Sequence, residues 1–264
     1  MTILSCRIAA TQRQLDDALR IRWEVFGQEL GLLDGVHMKV PREVNGFDTL
    51  ETTVHLVVYA DDVPVATSRM LLPNAEVARR AGGRLGLELE QKVDLAGVDG
   101  ACGLFAETTR YCVLKAWRTP ETLLRLQAGL YQESRRRGVT HWIAAANTET
   151  DSAEDVRILY QVAHHQGLLS ERWRVCPRAS PASPAEPCAR LYTPEERERA
   201  RQGRLDGLRL PRVLALFARK MGARFIAEPL YDAGFRRFSL PLVAALDEIP
   251  ARTLSLFDAV TLRA

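Results

Sequence analysis

The stretch Gly103-Leu-Phe-Ala-Glu-Thr-Thr-Arg-Tyr-Cys-Val113 decides how the rest of this 264-residue chain is read. Its aromatic and β-branched content is that of a buried strand, yet Glu107 and Arg110 stand in its middle. Burying an unpaired charge costs on the order of several kcal/mol, so the two residues are either a structural ion pair or a site. They are read as the site. Residues three apart point to opposite faces of a regular strand, so both reach one pocket only across a bulge, expected near Thr108–Thr109.

Downstream of this strand, Lys115–Pro120 leads into an amphipathic helix over Glu121–Arg137, with Leu123, Leu126, Leu130 and Tyr131 on its apolar side. Its basic end, Arg135-Arg136-Arg137, suits the negative pole of a helix dipole. Trp142–Ala146 reads as a short buried strand, and Ser152 caps a helix running through Val156, Leu159, Tyr160 and Ala163 to Gly167. The Pro/Ser/Ala-rich loop Pro177–Pro187 and the charged helix Thr193–Gly203 read together as a surface insertion at about 175–208. Pro211 begins a helix to Gly222, and Phe235–Leu242 is the last apolar strand, with Pro241 suggesting an edge.

Upstream, Thr53–Tyr59 and Val65–Leu72 flank Asp61-Asp62 as a hairpin. Arg69 shares a face with Val65, Thr67 and Leu71, which makes it a rim residue or a second member of the site. The chain opens with a strand over Leu4–Ala9 and a capping-box pattern at Thr11–Gln14. The helix that follows carries Leu15, Leu19, Arg22, Phe26 and Leu30 at helical spacing, so its apolar stripe is interrupted by Arg22. That cation either snorkels past Trp23 or marks function. Gly31 ends the helix, a polar loop leads to Val44-Asn-Gly-Phe-Asp48, and Ala75–Gly100 reads as helix and loop. The order β-α-loop-β-β-(α)-β-α-β-α-β implies one α/β domain over residues 1–264, a mixed sheet with helices on both faces.

Several classes drop out. Hydrophobic residues at 47% and charged ones at 26% are ordinary for a soluble globular protein, and no apolar run approaches the roughly 20 residues of a membrane span. The opening lacks the apolar core of a signal peptide, so a cytoplasmic location is expected. A net charge of +3 is too small to argue for nucleic acid but permits a basic patch for an acidic partner. No G-x-G-x-x-G follows the first strand and no P-loop is present, which removes nicotinamide and nucleotide-triphosphate chemistry. The five cysteines include no C-x-x-C and suit reduced thiols; Cys176 and Cys188 bracket the Pro-rich loop without an expected disulfide. Cys112, with apolar neighbours and no nearby His, reads as an inert buried thiol. The adjacent His164 and His165 point apart on a helix, and no metal site is expected.

In order, Arg22-x-x-x-Phe26, Phe47-Asp48, Arg69 in a strand ending Met-Leu-Leu-Pro73, and Glu107-x-x-Arg110 resemble the charged framework of acyl-homoserine-lactone synthases. The sequence is also similar to N-acyl amino acid synthases and ornithine-lipid acyltransferases, which Phe47-Asp48 followed by His55-Leu56 resembles more. The resemblance covers roughly residues 15–170, with a looser echo in Leu210–Pro250. Two departures from the lactone synthases stand out: Asn45 occupies a usually acidic position and Leu32 a usually aromatic one. They bear on the lactone product and the sulfonium substrate more than on acyl transfer.

The resemblance implies a GNAT-like fold with a mostly antiparallel central sheet, and an amide-forming acyltransferase with no permanently bound cofactor. Such an enzyme moves a fatty acyl group from acyl carrier protein, or from acyl-CoA, to the amine of an amino acid or similar small molecule. Glu107 is then the candidate base with Arg110 beside it, and Arg22, Phe26, Asp48, Arg69 and Thr109 bind substrate. GNAT acetyltransferases usually hold the coenzyme A pyrophosphate on a glycine-rich turn, where this chain has Lys115-Ala-Trp-Arg-Thr-Pro120. A carrier-protein donor is therefore expected, docking on Lys115, Arg118, Arg125, Arg135 and Arg136, unless these form a solvated basic face. The alternatives are a lactone synthase using S-adenosylmethionine, an acetyl-CoA enzyme on the same fold, and a non-catalytic module that binds acyl chains or carrier protein.

Overall fold

The computed structural model describes residues 2–33, 39–98, 103–178 and 183–260. Strand β1 (Leu4–Ile8) leads to helix α1 (Gln12–Arg22), which opens on a complete capping box: Thr11 accepts the Gln14 N–H, and the Gln14 side chain accepts the Thr11 N–H. From Trp23 to Glu29 the helix widens into a π-helix. This change of pitch breaks the expected stripe, leaving Leu30 47% exposed while Val25 and Leu32 are buried. Strands β2 (Thr53–Ala60) and β3 (Val63–Leu71) form the expected hairpin. Helix α2 (Ala75–Ala81), a 3-10 turn over Glu88–Gln91 and the short β4 (Val93–Asp94) follow.

Strand β5 (Leu104–Val113) then passes into helix α3 (Pro120–Arg136), β6 (Val139–Asn147) and helix α4 (Ala153–His165). The last third holds β7 (Cys176–Pro177), α5 (Pro194–Arg201), α6 (Arg212–Lys220), β8 (Arg224–Phe225), β9 (Leu230–Asp232), β10 (Arg237–Ala245) and α7 (Ala251–Asp258). The main sheet runs β1-β2-β3-β5-β6-β10-β8, with β9 also on β10, and β4 pairs with β7 apart from it. Every neighbouring pair in it is antiparallel except β5 with β6.

Strand alternation separates two faces. On β2, Val54, Leu56, Val58 and Ala60 join the main core with Leu126, Ala128 and Leu130 of α3, whereas Val57 and Tyr59 pack with Ala18, Ile21 and Val25 on the α1 side. A third cluster, including Leu71, Leu87, Leu89, Phe105, Ile143 and Val243, lies further along the α1 side. Between these two smaller clusters the face is charged.

Two sequence expectations change. Pro241 is not on an edge, since β10 lies between β6 and the short strands β8 and β9. Its carbonyl accepts the Ile226 N–H, so its missing N–H falls at the break between β8 and β9, where the sheet needs no donor. The segment read as a surface insertion is also anchored. Tyr192, Ala200, Leu208 and Leu210 are buried in the main core, and Asp155 on α4 accepts the Leu191 N–H and two bonds from the buried Arg197. Alternating Glu and Arg concealed this, because they read as a solvated helix. Cys176 and Cys188 are free and exposed.

Candidate active site

The bulge that the sequence requires lies at Arg110–Tyr111, two residues beyond the expected Thr108–Thr109. Thr67 faces Cys112 and Arg69 faces Thr109, so two steps on β3 match three on β5. Arg110 takes φ 55°, an unfavourable conformation for a residue with a Cβ, and its ion pairs hold it there. The extra residue turns Arg110 onto the face that already carries Glu107 and Thr109.

Around it three guanidinium groups and three carboxylates close into one network. The Arg22 side chain, fully buried, donates to Glu43 and forks onto Asp48 at 2.7 and 3.0 Å. Arg69, also fully buried, donates to Asp48 Oδ1 at 2.7 Å, to Asn45 Oδ1 at 3.0 Å, to Thr109 Oγ1 at 3.2 Å and to Glu88. Arg110 reaches Glu43 at 3.2 Å and Glu88 at 3.0 Å. Arg22 therefore does not snorkel to solvent and Arg69 is not a rim residue. Asn45, at the position that is acidic in lactone synthases, ties the loop together instead: its N–H donates to Asp48 at 2.7 Å and its amide to Glu88 at 2.9 Å.

Sequence reasoning missed Glu43 and Glu88. Glu43 stood in a polar loop without periodicity. Glu88 carried a signal, since Leu87-Glu88-Leu89-Glu90 alternates as a half-buried segment does, and Leu87 and Leu89 are buried.

Glu107 stands apart from the ion pairs. It is 5% exposed, and its Oε2 accepts the Leu89 N–H at 2.8 Å. Neither Arg110 nor Arg69 pairs with it, because their donors are taken by Glu43, Asp48 and Glu88. Burial, and then the negative charge of Glu88, push the Glu107 carboxyl up to about 7 against the pull of Leu89 N–H, Arg69 and Lys92. Burial also opposes ionisation of Glu88, but Arg110, Arg69 and Lys92 hold it below the usual carboxylate range. Asp48 is likewise buried, and Arg22 and Arg69 keep it well below that range. His55 donates to the Asp48 carbonyl at 3.0 Å, and burial lowers its pKa. Burial raises that of the Cys112 thiol.

Strands β5 and β6 part next to Glu107. Strands β5 and β6 pair only from Leu104 to Glu107 against Val139 to Ile143, after which β6 continues on β10 alone. Residues Thr108–Tyr111 are half-buried although β5 lies mid-sheet. Phe26, from the π-helix, is half-buried. Beyond β5 a 3-10 turn over Lys115–Trp117 stands where a glycine-rich turn would, and Thr119 caps α3 with Pro120 at its first position.

The expected docking residues divide between the two ends of α3, whose 17 residues span about 25 Å. At the N-terminal end Arg118 forks onto Glu29 at 2.6 Å, Arg125 lies 3.7 Å from Glu121, and Lys115 is exposed. At the far end Arg136 and Arg137 hold the buried Glu133. Among the described residues Lys115 and Arg135 have no ion-pair partner. No group of His, Cys, Asp and Glu among the described residues could hold a metal, and no helix among them is long and apolar enough to cross a membrane.

Residues 21–128 match the acetyltransferase (GNAT) domain family. The chain superposes on FeeM, an N-acyl amino acid synthase from uncultured soil microbes, with a TM-score of 0.53 and 10% identity over 96% of this chain and 97% of that one. It superposes on TofI, solved in a ternary complex with an inhibitor and MTA, with a TM-score of 0.50 and 13% identity over 96% of each chain. BjaI, a CoA-dependent acyl-homoserine lactone synthase solved with SAM and isopentyl-CoA, gives 0.49 and 15% over 100% of this chain and 92% of that one. No curated protein matches the sequence. The fold is that of a GNAT domain, mixed α/β with a mostly antiparallel central sheet. Fold and family match together support an acyltransferase of the GNAT group.

Proposed function

Taking an acyltransferase of the GNAT group as the premise, we propose that the protein transfers a fatty acyl group from an acyl thioester to the amine of an amino acid or amino-acid-like acceptor. The observation that carries this reading is Glu107, a buried carboxyl raised to about 7 beside the open edge of β5. An α-amine has a pKa near roughly 8, so a base of that strength takes its proton directly or through one water.

The neutral nitrogen then attacks the thioester carbon. The new C–N bond places negative charge on the carbonyl oxygen, and N–H groups on the unpaired edge of β5 receive it. Collapse of this intermediate breaks the C–S bond; the departing thiolate recovers a proton from Glu107, and the nitrogen releases its second proton to solvent as the neutral amide forms. Arg22, Asp48 and Arg69 form the frame, all of their charges being engaged with one another. Thr109 faces the acceptor with Phe26 alongside, and Arg110, its donors engaged by Glu43 and Glu88, attracts the acceptor's carboxylate by charge alone.

The donor is presented by acyl carrier protein. Two features support this: the 3-10 turn in place of a glycine cradle, and the exposed Lys115 and Arg118 at the N-terminal end of α3. Arg135 and Arg136 lie too far along the helix to share that patch. The test is one reaction containing purified protein, carrier proteins loaded with acyl chains of different lengths, acyl-CoA, mixed amino acids and S-adenosylmethionine, followed by mass spectrometry. An N-acyl amino acid is expected. Acyl lactone with methylthioadenosine would replace the acceptor assignment, and donors left unconsumed would overturn the reading.

A further inference from the structure

We propose that Phe235, at the tip of the β9–β10 hairpin, determines which amine acceptors enter the charged site. Residues Ala233, Gly234 and Arg236 of that tip are exposed, while Phe235 turns inward and is half-buried. Asp232 fixes this turn by accepting the N–H groups of Gly234 at 3.0 Å and Phe235 at 3.3 Å. The ring meets Phe26 edge-on with centroids 5.1 Å apart, and the Arg110 guanidinium lies 5.3 Å from its centroid. Around Arg110, Glu43, Glu88 and Thr109 occupy the hydrogen-bonding edge, so Phe235 covers the remaining open face. The Arg110 side chain is accordingly only 9% exposed.

The tip is held by contacts that can open. Lys92 pairs with Asp232, Arg236 donates to the Gly31 carbonyl, and the two phenyl rings touch; Lys92 and Arg236 are partly or fully exposed, and Phe26, although it rests against the α1-side cluster, is only half-buried. These tethers join the hairpin to the Glu88 turn and to the end of the π-helix, the two elements that flank Arg110. A bulky acceptor side chain would have to displace the ring further than a small one. Sequence reading placed Phe235 in the final strand, where such a role was invisible.

This assignment of acceptor choice rests on the acyl-transfer reading, but the covering of Arg110 is measurable without turnover. Phenylglyoxal labelling followed by peptide mass spectrometry should show Arg110 modified several-fold faster in Phe235→Ala than in wild type. Arg69 serves as the unreactive internal standard, and Phe235→Tyr should behave as wild type. An equal Arg110 rate in Phe235→Ala, with an unchanged melting temperature, would overturn the proposal. With transfer activity in hand, Phe235→Ala should shift kcat/KM toward bulky amines over small ones by about tenfold, through KM more than kcat. An unshifted ratio would overturn the specificity role while leaving acyl transfer intact; absence of turnover in wild type would instead remove the acyl-transfer reading and leave the labelling result standing.

Discussion

The two faces of the central sheet are built by the same strands and differ only in which residues of each alternation they receive. One carries Val54, Leu56, Val58, Met70 and Ala106 under helix α3 and is hydrocarbon apart from uncharged groups such as Ser68 and Ser134. The other carries Thr67, Arg69, Glu107 and Thr109, with apolar patches at either end and six ionised side chains between them. The dry face supplies stability by burial alone. The charged face balances desolvation against pairing and leaves the carboxyl of Glu107, on β5 itself, without a cation of its own. Its pKa, raised to about 7, is what suits it to the proposed role of base.

The largest expected effect comes from breaking the charged network. Arg69→Met leaves Asp48 and Glu88 short of a cation, and urea unfolding should show a loss of about 3–5 kcal/mol together with loss of transfer activity. A cost under about 1 kcal/mol would mean that the network is not the frame of this face. On the dry face Leu126→Ala should cost about 2–5 kcal/mol by the cavity it leaves, while the folded fraction keeps its kcat. If kcat fell with stability, the division of labour between the faces would be wrong.

Glu107→Gln sharpens the comparison through pH. The native carboxyl, raised to about 7, holds its proton longer than the same group in the unfolded chain, which ionises near about 4.3. The native state therefore binds more protons across that window, and wild-type stability should fall between those two values and level off above. Urea titrations at several pH values should show the variant gaining on wild type over the same interval. Asp48 and Glu88, held below their usual range, act in the opposite sense: their contribution is present above the unfolded carboxylate pKa and is lost as pH falls toward acid. The smallest effect belongs to Arg118→Ala. It removes an exposed pair with Glu29, so stability should change by less than about 1 kcal/mol, but KM for a carrier-protein donor should rise while that for acyl-CoA does not.

The frame of this comparison was legible in the sequence, and its connections were not. Arg22, Arg69, Glu107 and Arg110 were visible because each breaks an apolar pattern, and a broken pattern survives uncertainty about neighbours. One partner, Glu43, was invisible for the complementary reason: it sits in a loop with no period to break. The bulge was inferable from the spacing of Glu107 and Arg110, but its position was not, since it is the ion pairs of Arg110 that stabilise a positive φ there. Arg197 illustrates the opposite error. Among alternating charges it looked solvated, yet its bond to Asp155 sews the 188–210 segment to α4. Pro241 pointed to an edge only because the break between β8 and β9 is a tertiary feature.

The most direct test of the account is the pH–rate profile of wild type and Glu107→Gln, with one acyl thioester and one amine under single-turnover conditions. The account predicts a wild-type rate that rises through an inflection near 7 and a variant slower by about 10²-fold without that inflection. A variant that kept both the rate and the inflection would show that Glu107 is not the base.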